Sequence, residues 1–201
     1  MRTLIIATTN PAKVAQMKDA LAPLDLIVEG VVDKSLLPEV IEDGVTVLEN
    51  ARKKARVYAK ALGNTVLSLD NALYIDDLTP EKQPGIHVRR FNGFDRATDE
   101  QLLAHGLTLI NSLGGRATGY WEYGICVAEP SGTMWETTIK VSRLFTNTCS
   151  ENTIPGYPLE SIQIHPETGQ YVSDLSPEER AAFWQKDLGT PLCAFVREAV
   201  L

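Results

Sequence analysis

An α/β fold with a mixed sheet and a second lobe is what this 201-residue sequence predicts, on three observations. Short apolar runs at residues 3–7, 26–32 and 65–69 alternate with helical stretches, the pattern of strands buried in an α/β sheet. Two β-rich segments, 117–129 and 133–145, flank Pro130-Ser131-Gly132 and read as a long hairpin, which argues for the second lobe. The composition, 44% hydrophobic and 22% charged, is that of a globular chain with a sizeable core, and it excludes disordered, collagen-like and low-complexity classes.

The elements follow in order. Residues 3–7 form a buried strand. Asn10 is placed to cap a helix and Pro11 suits its first turn, and Val14, Met17 and Leu21 recur at helical spacing until Pro23 ends the run. Residues 26–32 read as a second strand and 36–44 as a loop rich in Pro and acid. Thr46 caps a long helix over 47–62, which Gly63-Asn64 terminates. The third strand, 65–69, delivers Asp70-Asn71 at its end. Tyr74-Ile75 leads into Asp76-Asp77, and 79–85 is a polar, proline-bearing loop. Residues 99–113 form a helix with Leu102, Leu103, Leu107 and Ile110 on one side, ended by Gly114-Gly115. After the hairpin, 147–165 is irregular. Ser176-Pro177-Glu178-Glu179 starts a helix running to about Lys186, and another helical stretch covers 192–200. There is no internal repeat and no flexible linker, so the chain reads as a single domain of two lobes.

Lys and Arg total 19 against 26 Asp and Glu, a net charge of −7. That deficit of cations argues against a protein that coats a nucleic-acid polymer, while leaving room for a basic pocket around a small phosphorylated ligand. Cys126, Cys149 and Cys193 are widely spaced with no C-x-x-C pair, which points away from a disulfide framework or structural zinc and towards reduced thiols in the cytoplasm. Neither a secretory leader nor a membrane span is expected.

Four segments carry candidate chemistry. The turn Thr8-Thr9-Asn10-Pro11-Ala12-Lys13 joins a strand to a helix start. Free N–H groups, small polar side chains and a lysine there suit phosphates, though it lacks P-loop glycines and an ordinary capped helix would look the same. In Glu49-Asn50-Ala51-Arg52-Lys53-Lys54-Ala55, Glu49 lies in the first helical turn, where it either serves the helix or binds Mg²⁺. Asp70 in Leu67-Ser68-Leu69-Asp70-Asn71 is either a ligand at the sheet's carboxyl edge or a loop cap. Pro84-Gly85-Ile86-His87-Val88-Arg89-Arg90 is a turn followed by two arginines, an anion clamp or a solvated basic edge.

In order and spacing, these four segments resemble the Ham1-like inosine triphosphate pyrophosphatases, which hydrolyse non-standard purine nucleoside triphosphates. Their T-x-N-x-x-K, E-N-A-x-x-K-A and P-G-x-x-x-x-R patterns match at every specified position. Their D-D-S-G-L pattern is met by Leu69-Asp70-Asn71-Ala72-Leu73, which keeps the second acid. The resemblance implies an elongated two-lobed α/β (Ham1/Maf-like) fold with a central mixed sheet flanked by helices, often as a homodimer. It implies Mg²⁺-dependent hydrolysis of a nucleoside triphosphate to monophosphate and pyrophosphate. Glu49 and Asp70 would hold the metal, and Asp70, Glu49 and Lys13 would form the catalytic set, with Asp70 on the attacking water. Thr8, Thr9, Asn10, Lys13, Lys54, Arg90, Tyr157, Arg180 and Lys186 would bind substrate.

The C-terminal third departs from that pattern. Where the family has G-[FYW]-D-P, this chain has Gly156-Tyr157-Pro158-Leu159 without the Asp. Trp184-Gln185-Lys186 stands in place of S-H-R, and Arg180 in place of a lysine. Loss of base-reading partners changes base preference steeply. A non-catalytic nucleotide-binding protein and a hydrolase of another phosphorylated small molecule therefore stand as alternatives.

Overall fold

The computed structural model describes residues 2–8, 11–31, 35 and 37–201. Thr9 and Asn10, both candidate phosphate ligands, lie outside the described residues, as does Val32.

The strands are β1 (Arg2–Ile6), β2 (Leu26–Gly30), β3 (Thr65–Ile75), β4 (Arg116–Ala128), β5 (Met134–Thr146) and the short β6 (Gln163–Ile164). The helices are α1 (Pro11–Leu21), α2 (Val47–Leu62), α3 (Asp99–Ser112), α4 (Pro177–Trp184) and α5 (Thr190–Val200). The six strands make one sheet in the order β2-β1-β3-β4-β5-β6. β1 pairs in parallel with β2 and with β3, whereas β5 and β6 are antiparallel, so the sheet is mixed as expected. The parallel pairs follow from the β–α–β order of the N-terminal half, because parallel neighbours need a crossover between them.

The chain divides into two compact units. One comprises Met1–Asn71, Tyr123–Ile139 and Ala181–Leu201, and the other Ala72–Glu122 and Lys140–Arg180. The core of the first gathers Ala7, Val66, Cys126 and Ala128 against Ala51, Ala55 and Ala59 of α2. Alanines at every fourth position give α2 a flat face, so its axis can lie close to the strands. Gly124 of β4 completes the fit, since a Cβ there would collide with the Val47 and Leu48 backbone. Thr46 caps α2 by accepting from the Glu49 N–H, and Gly63 closes its other end with a φ of 63°. The core of the second unit packs Leu73, Ile75, Leu102, Ile110, Phe145, Leu159 and Ile162. A Thr98–Gln101 capping box starts α3 there.

Two boundaries differ from the sequence reading. β3 does not end at Leu69 but continues to Ile75, because Leu73 and Ile75 carry its alternation into the second core and Leu73 exchanges backbone hydrogen bonds with Gly85 (2.9 and 3.1 Å). Asp70 and Asn71 therefore lie within a strand, not at its carboxyl end. The C-terminal helices do not stop and restart: a π-helical segment, Gln185–Gly189, joins α4 to α5. No helix among the described residues is long and apolar enough to cross a membrane.

Candidate active site

Alternation along β3 directs successive side chains to opposite faces. Val66 packs with the α2 alanines, and Asp70, four residues on, reaches the same helix. Asn50 Nδ2 donates to Asp70 Oδ2 at 3.0 Å, and Lys54 Nζ lies 3.9 Å from Asp70 Oδ1. The next residue, Asn71, turns the other way and accepts from Lys13 Nζ of α1 at 3.0 Å. An acid and two lysines, one from each flanking helix, thus meet two adjacent positions of one strand.

Asn50 is buried and its amide works in both senses. While Nδ2 holds Asp70, Oδ1 accepts the Gly44 N–H at 2.8 Å. A side chain at Gly44 would sit 2.6 Å from that oxygen, so the loop can approach only as glycine. The pinned loop delivers Glu42, whose Oε1 is 3.0 Å from Lys54 Nζ. Lys54, only 12% exposed at its side chain, also donates to the Leu69 carbonyl at 3.2 Å. One ammonium therefore stands between two carboxylates, Glu42 and Asp70. Glu49 is placed differently: its Oε2 accepts the Val45 N–H at 2.8 Å, just ahead of its own helix. Asp43 pairs with Lys53, which further holds the loop to α2.

The remaining expected site residues lie on other elements. Thr8 is half-buried two residues past β1. Arg90 is exposed after the Pro84-Gly85 turn, whereas its neighbour Arg89 is half-buried and ion-paired with Asp99 at 2.7 Å. Tyr157 follows Gly156, which has a φ of 85°. Burial, and secondarily the Glu160 carboxylate, push its phenol well above the ordinary range, so it stays protonated. Arg180 of α4 donates to the Leu175 carbonyl at 3.4 Å, and Lys186 is exposed in the π-helical segment. Trp184 meets Phe183 edge-on, with centroids 6.4 Å apart.

Three residues that build the site were not marked from the sequence: Glu42, Asn50 and Asn71. Glu42 lies in an aperiodic loop that offers no signal of direction. Asn50 did carry one, because an amide at the position preceding the Ala51, Ala55, Ala59 stripe falls on the buried face, where it must find partners.

Among the described residues no group of three or more His, Cys, Asp or Glu could hold a metal by itself. Mg²⁺ is ordinarily shared between one or two carboxylates and the phosphates of a substrate. Asp70 with Glu42 or Glu49 supplies hard oxygen donors of that kind.

The profile of the Ham1 family matches residues 4–183. A dITP/XTP pyrophosphatase of Exiguobacterium sp. is 33% identical over 181 residues, covering 89% of this chain and 88% of the relative. One from Nitratidesulfovibrio vulgaris is 29% identical over 192 residues, covering 90% and 88%. The solved structure of the Staphylococcus aureus Ham1 protein superposes with a TM-score of 0.73 at 26% identity, over 98% of this chain and 100% of that one.

Proposed function

This chain belongs to the Ham1 family, and from that premise we propose that it hydrolyses a nucleoside triphosphate, with a non-standard purine base, to the monophosphate and pyrophosphate. The observation that carries the reading is the Asp70 carboxylate held by Asn50 beside Lys54, with Lys13 fixed by Asn71 on the adjoining residue. The names of the 33% and 29% identical relatives support the substrate class.

Asp70 orients a water and takes its proton as the water oxygen bonds to the α-phosphorus. The bond from that phosphorus to the bridging oxygen breaks, and pyrophosphate leaves with the electron pair. Lys13 and Lys54 pair with phosphate oxygens, where preplaced cations are worth most as charge develops. Thr8, Thr9 and Asn10, which precede Pro11 in the sequence, take up further phosphate oxygens. Arg90, Arg180 and Lys186 are proposed as outer cations and Tyr157 as a wall for the base. Asp70 with Glu42 or Glu49 would hold Mg²⁺, which supplies charge neutralisation on the triphosphate. Glu42 shares Lys54 with Asp70, so it joins the expected Glu49 as a candidate ligand. A cytoplasmic homodimer acting on the nucleotide pool completes the proposal.

The test is pyrophosphate release from dITP, XTP, dATP and dGTP with Mg²⁺. Asp70→Asn should lower kcat by about 10²–10⁴-fold, the usual contribution of a positioned general base. Of Glu42→Gln and Glu49→Gln, the one that raises the Mg²⁺ requirement identifies the second ligand. Binding of these nucleotides without turnover would replace catalysis by the non-catalytic reading, which the altered Trp184-Gln185-Lys186 segment motivates.

A further inference from the structure

We propose that Arg89 and Asp99 form a positioning clamp that sets the Gly156-Tyr157 turn and thereby tunes which base is accepted; this deepens the proposed hydrolase reading and rests on it. The clamp grips a backbone, not a side chain. Asp99 Oδ2 accepts the Gly156 N–H at 2.7 Å, and Arg89 Nη2 donates to the Gly156 carbonyl at 3.3 Å. The same Nη2 binds Asp99 Oδ1 at 2.7 Å, and Nη1 donates to the Ala97 carbonyl at 3.1 Å. Both polar groups of one glycine are thus captured by a single ion pair.

The local geometry makes that capture consequential. Gly156 has a φ of 85°, a conformation that L side chains rarely adopt, so the chain reverses there and the direction of Tyr157 depends on how the glycine is held. Tyr157 is fixed on its other side too: its N–H donates to the Ile154 carbonyl at 2.9 Å, and the buried turn Pro158–Ile162 begins at the next residue. Asp99 is the first residue of α3, where a carboxylate is favoured by the helix N-terminus. Arg89 is held in place by its own carbonyl, which accepts the Ala97 N–H at 2.8 Å. Three segments are therefore joined: the Pro84-Gly85 turn that also carries Arg90, the start of α3, and the Tyr157 turn. Asp99 is kept ionised in this setting. Desolvation pushes its carboxyl up, but the Gly156 N–H and the Arg89 guanidinium outweigh it and hold it below the usual range.

The clamp's bonds to the turn end on the Gly156 backbone, next to Tyr157, so its effect should fall chiefly on base selection. In the full-length protein, Arg89→Ala, Arg89→Lys and Asp99→Asn are compared on dITP, XTP, dATP and dGTP, with inorganic tripolyphosphate as a competitor that has no base. Loss of a charge-assisted bond to the turn is expected to raise KM for the best substrate about tenfold. The ratio of kcat/KM between best and poorest substrates should shrink by a similar factor, while kcat and tripolyphosphate inhibition hold. Arg89→Lys, which keeps the charge without the fork, should fall between. An unchanged ratio, or tripolyphosphate inhibition weakening in step, overturns the proposal. Amide hydrogen exchange at Gly156 tests the clamp without turnover. Protection in the wild type and about tenfold faster exchange in Asp99→Asn support it, and equal exchange overturns it. If the wild type hydrolyses none of the four triphosphates, the activity reading fails and the exchange result alone decides the clamp.

Discussion

Replacing Asn50 by Asp changes one NH₂ into an oxygen at nearly constant volume, and the structure says where the damage must fall. The Oδ1 bond from the Gly44 N–H survives, but Asp70 Oδ2 now faces an acceptor at 3.0 Å. Two full charges at that distance repel by about 5 kcal/mol at an effective dielectric near 20, the equivalent of several pK units. Lys54, 3.9 Å from Asp70, offsets part of this, so the pair is expected to retain a proton well above the ordinary carboxylate range. The folded-state pKa is then raised above the unfolded value of about 4. Stability is therefore fully present below that value and is lost as pH rises through the raised pKa. Urea unfolding between pH 4.5 and 8 should find Asn50→Asp within about 1 kcal/mol of wild type at the acid end and about 2–4 kcal/mol behind at the alkaline end. Asn50→Ala, which removes both bonds and adds no charge, should lose about 2–3 kcal/mol at every pH. If Asn50→Asp tracks the wild type in parallel across the range, Asn50 does not face Asp70 and the site as built is wrong.

Further outcomes follow from particular contacts. Gly124→Ala should destabilise by about 1–3 kcal/mol or more in thermal unfolding, because the new methyl meets α2 backbone that has no rotamer to change. In a thiol titration of the native protein Cys149, which is exposed, should react quickly and Cys126 should react only on unfolding. Burial, then the nearby Glu136, push the Cys126 thiol up to about 12, which suppresses its thiolate. His105 stacks on Phe91 with centroids 4.0 Å apart, and burial lowers its pKa from 6.5. Its contribution to stability is thus present above pH 6.5 and lost as pH falls through the lower folded value; an NMR titration midpoint at or above 6.5 would refute this.

The alternation of apolar runs and helical stretches was enough to predict a mixed α/β sheet, because burial period and turn chemistry are local properties. The capped helix over 47–62 and the hairpin around Pro130-Ser131-Gly132 emerge with those bounds or close to them. Less was legible where burial on a second core overrides a local stop. Asp70-Asn71 reads as a strand end until Leu73 and Ile75 are seen to pack with Leu102 and Phe145. The same limit applies to the π-helical join at Gln185–Gly189, which has no distinctive spacing.

The motifs and the family resemblance they carry point to Lys13, Lys54 and Asp70, since the residue types suited to phosphate and water chemistry are few and their spacing is written in the chain. Which groups hold them depended on folding. A free amide has no preferred partner, so nothing in the chain says that Asn50 turns its nitrogen to Asp70 while Asn71 turns its oxygen to Lys13. The glutamates show the same division. Glu42 and Glu49 are equal as letters, yet a loop pinned through Gly44 sets Glu42 at Lys54, and Glu49 is drawn to the backbone ahead of its own helix. Chemical type is carried by each residue singly; direction belongs to the packing around it.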